Sequence, residues 1–284
     1  MIPSEPGAPR GGLAEPGVLG IPAKLVAAVA QFAAKTMVIA EVEARKLRHD
    51  PTELITRALQ PALWLLVFGQ VFTRIRGIPT GDLRYIDFMA PGILAQSVLF
   101  IAIFYGISII WERDLGIVHK FLASPTPRAA LVLGKALSAG VRGLSQALII
   151  YILASLLRVR ISWNPLALAG VLCAIVLGAA FFSTLSLIIA CLVKTRERFM
   201  GIGQVLTMPL FFASNAIYPI AMMPRWLQVI SRINPLTYEV DALRALMLKG
   251  GTSGFGVALD LGVLLAATTI LIVVAGRLYP NVVR

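Results

Sequence analysis

The sequence predicts an all-α membrane protein of six transmembrane helices. An N-terminal amphipathic helix precedes them, and re-entrant or interfacial helices join the fifth and sixth spans. Three observations predict this. Of the 284 residues, 58% are hydrophobic and only 14% charged, and the mean hydropathy is +0.83. A soluble domain carries about 25% charged residues and could not bury this much apolar surface, whereas a bilayer can. Long apolar runs also alternate with short gaps rich in Lys and Arg. Finally, the formal net charge of +12 is spread among those gaps instead of collecting on one polar face. That spread argues against nucleic-acid binding and fits basic residues flanking membrane spans.

The opening residues, MIPSEPGAPRGGLAEPG, have no apolar signal-peptide core, so residues 1–22 read as a disordered cytoplasmic tail. Over residues 23–49, Leu25, Val29, Phe32, Ile39 and Leu47 fall near one side of a helix, with Lys24, Lys35, Arg45 and Lys46 elsewhere. This reads as an amphipathic helix lying on the membrane; a packed helix of a soluble N-terminal piece is the alternative. Residues 50–284 form the six-span domain. Asp50 caps a helix that has Pro51 at its first position and Glu53 in its first turn. That helix runs into a first span at about 58–72, short against the roughly 20 residues a span needs. The second span covers about 85–110, the third 131–157, the fourth 166–193, the fifth 199–218 and the sixth 257–278. Thr126-Pro127 and Asn164-Pro165 repeat the cap-then-proline device at the third and fourth spans.

Lys and Arg counts set the orientation. With the N-terminus inside, the cytoplasmic side holds seven in the N-terminal region, four around the second gap, three in KTRER and two at the C-terminus, against nine outside. The bias puts both termini in the cytoplasm of a multi-pass protein.

No phosphate loop of the form G-x-x-x-x-G-K-[ST] occurs; Val132-Leu133-Gly134-Lys135-Ala136 lacks the upstream glycine and the hydroxyl. Cys173 and Cys191 lie 18 residues apart in one apolar segment, about 27 Å along a helix. They cannot form a disulfide and read as small apolar fillers. In the cytoplasmic gap, Glu112, Arg113 and Asp114 follow directly on a span. Ile117, Val118, Phe121 and Leu122 then give a short helix one apolar face. Such a helix either inserts into a groove on a partner or lies flat on the membrane. Arg128, Lys135 and Arg142 recur every seven residues on one face, and Arg142 sits about one turn inside the membrane. It either snorkels to the headgroups, or lines a water-filled path or pairs with an acidic group. Phe100 and Phe104 of the second span are further candidates for a translocation path, against a default reading as lipid-facing or packed rings. The outer segment after Tyr218-Pro219 carries one helical repeat after Pro224, beginning at Trp226, and a second after Asn234-Pro235. Both pieces are too short and charged to span; they form a lid over an exit or inert packing. Asp87 and Asp260 are expected at the outer ends of their spans, solvated by headgroups. No catalytic cluster emerges, and no mid-depth carboxylate of the kind a proton-coupled carrier uses.

Three stretches resemble the permeases of ABC-2-type transporters, specifically the daunorubicin-resistance-like group. They are YIDFMAPGIL, ERDLGIVHKFLASPTPRAALVLGKAL and FFASNAIYPIAMMPRWLQVISRINPLTYEVDALR. The resemblance covers residue 50 to the C-terminus. Where relatives usually have Ser-Gly, this chain has Ser214-Asn215. The resemblance implies a permease of the bacterial cell membrane that works with a second copy or a paralogue. Separate ATPase subunits would bind ATP and Mg, and this chain would bind no cofactor. The amphipathic stretch would be the elbow helix. Glu112, Arg113, Asp114, Ile117, Val118, Phe121 and Leu122 would couple to the ATPase. The segment with Tyr218, Pro219, Pro224, Trp226, Asn234 and Pro235 would be the extracellular re-entrant element. Family substrates include hydrophobic drugs, lipids and acylated or lipid-linked saccharides; a hydrophobic drug, lipid or glycolipid is expected here. An ion- or proton-coupled carrier or channel acting alone is the alternative.

Overall fold

In lipid every backbone N–H and C=O must be satisfied within the protein, so long apolar runs have to be helical. The computed structural model describes residues 59–75, 78, 80–81, 83–116, 128–193 and 195–279. The expected tail, the amphipathic stretch 23–49, the Asp50–Glu53 cap, Thr126-Pro127 and the residues Ile117, Val118, Phe121 and Leu122 lie outside the described residues. Among the described residues the chain is helical apart from turns and one isolated bridge, Ile161 to Leu248.

Nine helices are described. Helix α1 (59–75) contains a π-helical turn at Trp64–Phe68. Helices α2 (Tyr85–Tyr105) and α3 (Ile107–Asp114) follow each other directly. Then come α4 (Arg128–Leu156), α5 (Pro165–Leu192), α6 (Arg196–Phe212), α7 (Arg225–Ile233), α8 (Pro235–Met247) and α9 (Val257–Leu278). Among the described residues, four stretches are long and apolar enough to cross a membrane: Tyr85–Asp114, Leu131–Leu156, Pro165–Leu192 and Val257–Leu278. They match the expected second, third, fourth and sixth spans. The expected first and fifth spans fall on shorter helices, α1 and α6. Helix α6 stops at Phe212 instead of reaching Tyr218; its 17 residues cover about 25 Å, less than the hydrocarbon thickness of about 30 Å.

The second span is longer than expected because α3 continues α2. The junction is Gly106, whose N–H turns back to the Ile103 carbonyl at 3.2 Å. A Cβ at Gly106 would lie 1.9 Å from Ser186 Oγ of α5, and the Ser186 hydroxyl donates to the Ile103 carbonyl. The missing side chain therefore lets α5 supply a polar contact where the helical ladder changes register.

Helix α5 is the hub and packs against α2, α4, α8 and α9. Small residues let the backbones approach, as is usual between membrane helices: Gly140 and Gly143 of α4 face Val176 and Ile175 of α5. Both cysteines are free thiols and lie on α5. The cap-then-proline devices that are described form as expected. Asn164 Oδ1 accepts from Leu166 N at 2.9 Å, and Asn234 Oδ1 accepts from Leu236 N at 3.0 Å.

Candidate functional site

The two ends of the bundle carry different chemistry, and a cavity lies between them. At the first end, α3 delivers Glu112, Arg113 and Asp114 in its last turn. Both Glu112 carboxylate oxygens accept from Lys135 Nζ of α4 at 2.7 Å. Asp114 accepts from Arg196 of α6 at 2.8 Å, and the Arg196 guanidinium lies 3.9 Å above the Trp111 ring. Arg113 reaches Asp114 and the Val193 carbonyl. The three residues named from the sequence thus tie α3 to α4 and α6 through partly exposed ion pairs, and to the end of α5 through a hydrogen bond.

The cavity, about 530 Å³, lies between α1, α2, α3 and α4 and brings together Phe100, Phe104 and Arg142. The Phe100 and Phe104 rings stack at 6.1 Å, and the Arg142 guanidinium sits 4.7 Å from the Tyr105 ring. Tyr105 is itself anchored by its hydroxyl to Ser138 of α4 at 3.1 Å. Gln60 and Gln146 add amides to the wall. Arg142 lines this cavity. Aromatic faces beside one cation and a few amides suit an amphiphile with a polar head.

At the opposite end the carboxylates are buried. Asp87, expected to be solvated by headgroups, is fully buried instead. It accepts from Arg84 (3.0 and 2.8 Å) and from the backbone N–H and Nε of Arg160 (both 3.2 Å). Arg84 also donates to the carbonyl of Arg158, which holds a left-handed backbone at φ 54°. One carboxylate therefore clasps the α4–α5 turn to the start of α2. Asp260 likewise departs from expectation: it is fully buried and bonded to Ser253 at 2.9 Å. Asp241 of α8 accepts from Ser253 Oγ and from the backbone N–H groups of Gly254 and Phe255 at 2.7–3.1 Å. Depth and burial depend on how helices stack, which sequence position alone does not reveal.

The segment expected to be re-entrant lies at this end. Helix α7 exposes Trp226, Val229, Ile230 and Ile233 on one face, with Pro224 as its N-terminal neighbour. Asn234 closes α7, caps α8, and donates to the Leu210 carbonyl of α6 at 2.7 Å; Pro235 takes the first position of α8. The Tyr218 hydroxyl donates to the Phe212 carbonyl at 2.6 Å, and Pro219 leads into a 3₁₀ turn at Ile220–Met222. Asn215 holds no left-handed backbone: Arg158 is the one described non-glycine residue with positive φ. The Asn215 carbonyl accepts from Arg244, whose guanidinium lies 3.8 Å from the Phe88 ring of α2.

Helix α8 runs antiparallel to α5. A Cβ on Gly170 would meet Leu246 at 2.9 Å, and one on Gly178 would meet the Glu239 carboxyl at 2.2–2.4 Å. Two glycine notches eight residues apart on α5 thus receive two side chains seven apart on α8. The chain returns at the level of Ile161, where Ser162 N–H donates to the Met247 carbonyl and Lys249 N–H to the Arg160 carbonyl, both at 2.8 Å. Helix α8 therefore dips from the Arg160 end toward the middle of α5 and is too short to span. Glu239 is fully buried, and neither of its oxygens has a partner among the described residues. Burial pushes its carboxyl well above the usual carboxylate range. Sequence reasoning missed Glu239. The paired glycines and the i, i+4, i+7 set Glu239, Leu243, Leu246 were the available signal.

Comparison with known proteins agrees with this architecture. Residues 34–248 match the family model of the ABC-2 type transporter. The chain is 30% identical to a putative transport permease, ycf38, of Cyanophora paradoxa, over 71% of this chain and 70% of the relative. It is 27% identical to the daunorubicin resistance ABC transporter permease protein DrrB1 of Streptomyces coeruleorubidus, over 82% of each. It is 28% identical to the probable multidrug ABC transporter permease YbhR of Escherichia coli, over 59% of this chain and 45% of the relative. With four helices able to cross a membrane and the match covering most of its length, the chain belongs to the ABC-2 type transporter family and is an integral membrane permease.

Proposed function

We propose that this chain is the membrane-spanning subunit of an ATP-driven exporter that moves a hydrophobic drug, lipid or glycolipid out of a bacterial cytoplasm. The observation that carries the proposal is the cavity in which Phe100, Phe104 and Arg142 converge; in this reading it is part of the translocation path. The cavity lies toward the Glu112 end of the bundle, which faces the cytoplasm together with both termini. Helices α1 and α6 complete a set of six spans, and residues 23–49 form the elbow helix.

The motor is a separate ATPase subunit that binds ATP and Mg. The chain's lack of a phosphate loop supports this division. Residues 112–122 receive the stroke. Glu112 and Asp114 pass it to α4 and α6 through Lys135 and Arg196, while Ile117, Val118, Phe121 and Leu122 dock on the ATPase. A second copy or a paralogue completes the pore, and residues 218–250 form the extracellular re-entrant element. The test is Phe121→Asp and Glu112→Lys in proteoliposomes containing the ATPase subunit. ATP-driven transport of a fluorescent lipid or drug should fall at least tenfold while the permease stays in the membrane. Transport equal to wild type in both variants would overturn the assignment.

One observation favours a second reading, an ion- or proton-coupled carrier: the buried carboxyl of Glu239, which meets no hydrogen-bond partner among the described residues. That reading requires gradient-driven transport by the purified chain with no ATPase present.

A further inference from the structure

We propose that Glu239 is a proton-binding site: it carries a proton while α8 is seated in the Gly178 notch of α5 and loses it when α8 leaves. Gly178 lies 13 residues from the Arg160 end of α5 and 14 from its other end, so the notch is at mid-helix. The notch is shaped for the group it holds, because the carboxyl occupies the volume of the missing Cβ. The carboxyl is fully enclosed, and no described group hydrogen-bonds to it.

The charged groups on the elements around it are committed elsewhere. Helix α5 carries no acidic or basic residue; its thiols are Cys173 and Cys191. On α2, Asp87 is held by two arginines. On α9, Asp260 bonds to Ser253, and Arg277 sits in the last turn. On α7, Arg225 and Arg232 are exposed. On α8 itself, Asp241 and Arg244 face the Ser253–Phe255 turn and Asn215. An ionised carboxylate in this setting would be neither solvated nor paired, so the seated form is the neutral acid. A leucine would fill the same notch without leaving a buried polar group unmet. A carboxyl there is explained by a second state in which it ionises. The site takes only a proton, and the inference holds under either functional reading.

Infrared spectroscopy of the purified chain in lipid tests it. A carboxylic-acid C=O stretch should persist at pH 7 and vanish in Glu239→Gln, and it should survive in Asp241→Asn. Gly178→Ala, which evicts the carboxyl, should return its titration to the ordinary glutamate range. Because Gly178→Ala risks misfolding, amide exchange over residues 235–247 gives an independent arm. The acid is stabilised in the seated state, so seating is strongest at low pH and weakens as pH rises through the folded pKa. Protection in wild type relative to Glu239→Gln at the same pH should therefore fall as pH rises. An acid band at pH 7 insensitive to Glu239→Gln, or a protection ratio flat with pH, would overturn the proposal.

Discussion

The two ends of the bundle use the same residue types to opposite effect. At the Arg160 end, Asp87 and Asp241 are buried; Asp87 accepts four hydrogen bonds of normal length from Arg84 and Arg160, and Asp241 three from Ser253, Gly254 and Phe255. At the Glu112 end, Glu112 meets Lys135, and Asp114 meets Arg196 and Arg113, in partly exposed ion pairs. A buried, multiply bonded carboxylate fixes the segments around it, because removing it strands donors away from water. An exposed ion pair contributes little to stability and exchanges partners readily. One end is therefore built to hold its geometry and the other to change it, as the proposed coupling role requires.

That contrast can be broken in order of expected effect. Asp241→Ala leaves the Gly254 and Phe255 N–H groups unmet and Arg244 buried without its nearest carboxylate, 4.0 Å away. It should destabilise by about 3–5 kcal/mol, read as a large fall in unfolding temperature in detergent. Asp87→Ala should cost less, about 1.5–3 kcal/mol, because Arg84 and Arg160 are nearly half exposed and can turn to solvent. Glu112→Gln should change unfolding stability by no more than about 1 kcal/mol. Under the proposed coupling role, the reversal Glu112→Lys should still impair transport, and the swap Glu112→Lys with Lys135→Glu should restore much of it. Equal thermal losses at Asp87 and Glu112 would erase the distinction between the ends.

The features legible in the sequence were those set by local chemistry. Asn164-Pro165 and Asn234-Pro235 announce helix starts because cap and proline act within three residues. The four long spans announce themselves by length and apolarity. Phe100, Phe104 and Arg142 were legible as candidates, but their convergence depends on α2 packing against α4, which no local pattern encodes. Asp87 and Asp260 were misplaced because charge near a span end looks the same whether solvated or enclosed. Glu239 sits between the apolar Leu236, Val240 and Leu243, where one acidic residue in a short helix looks like a solvent face. Only the opposing Gly178 reveals that it points inward.

The central claim, that this permease borrows its motor through the Glu112 end, is tested most directly by ATP turnover in proteoliposomes with and without the ATPase subunit. The account predicts no turnover by the chain alone. It also predicts that the permease changes the turnover of the ATPase, and that Phe121→Asp abolishes this change. Hydrolysis by the isolated chain, or an ATPase whose turnover is the same with wild type, with Phe121→Asp and with no permease at all, would contradict it.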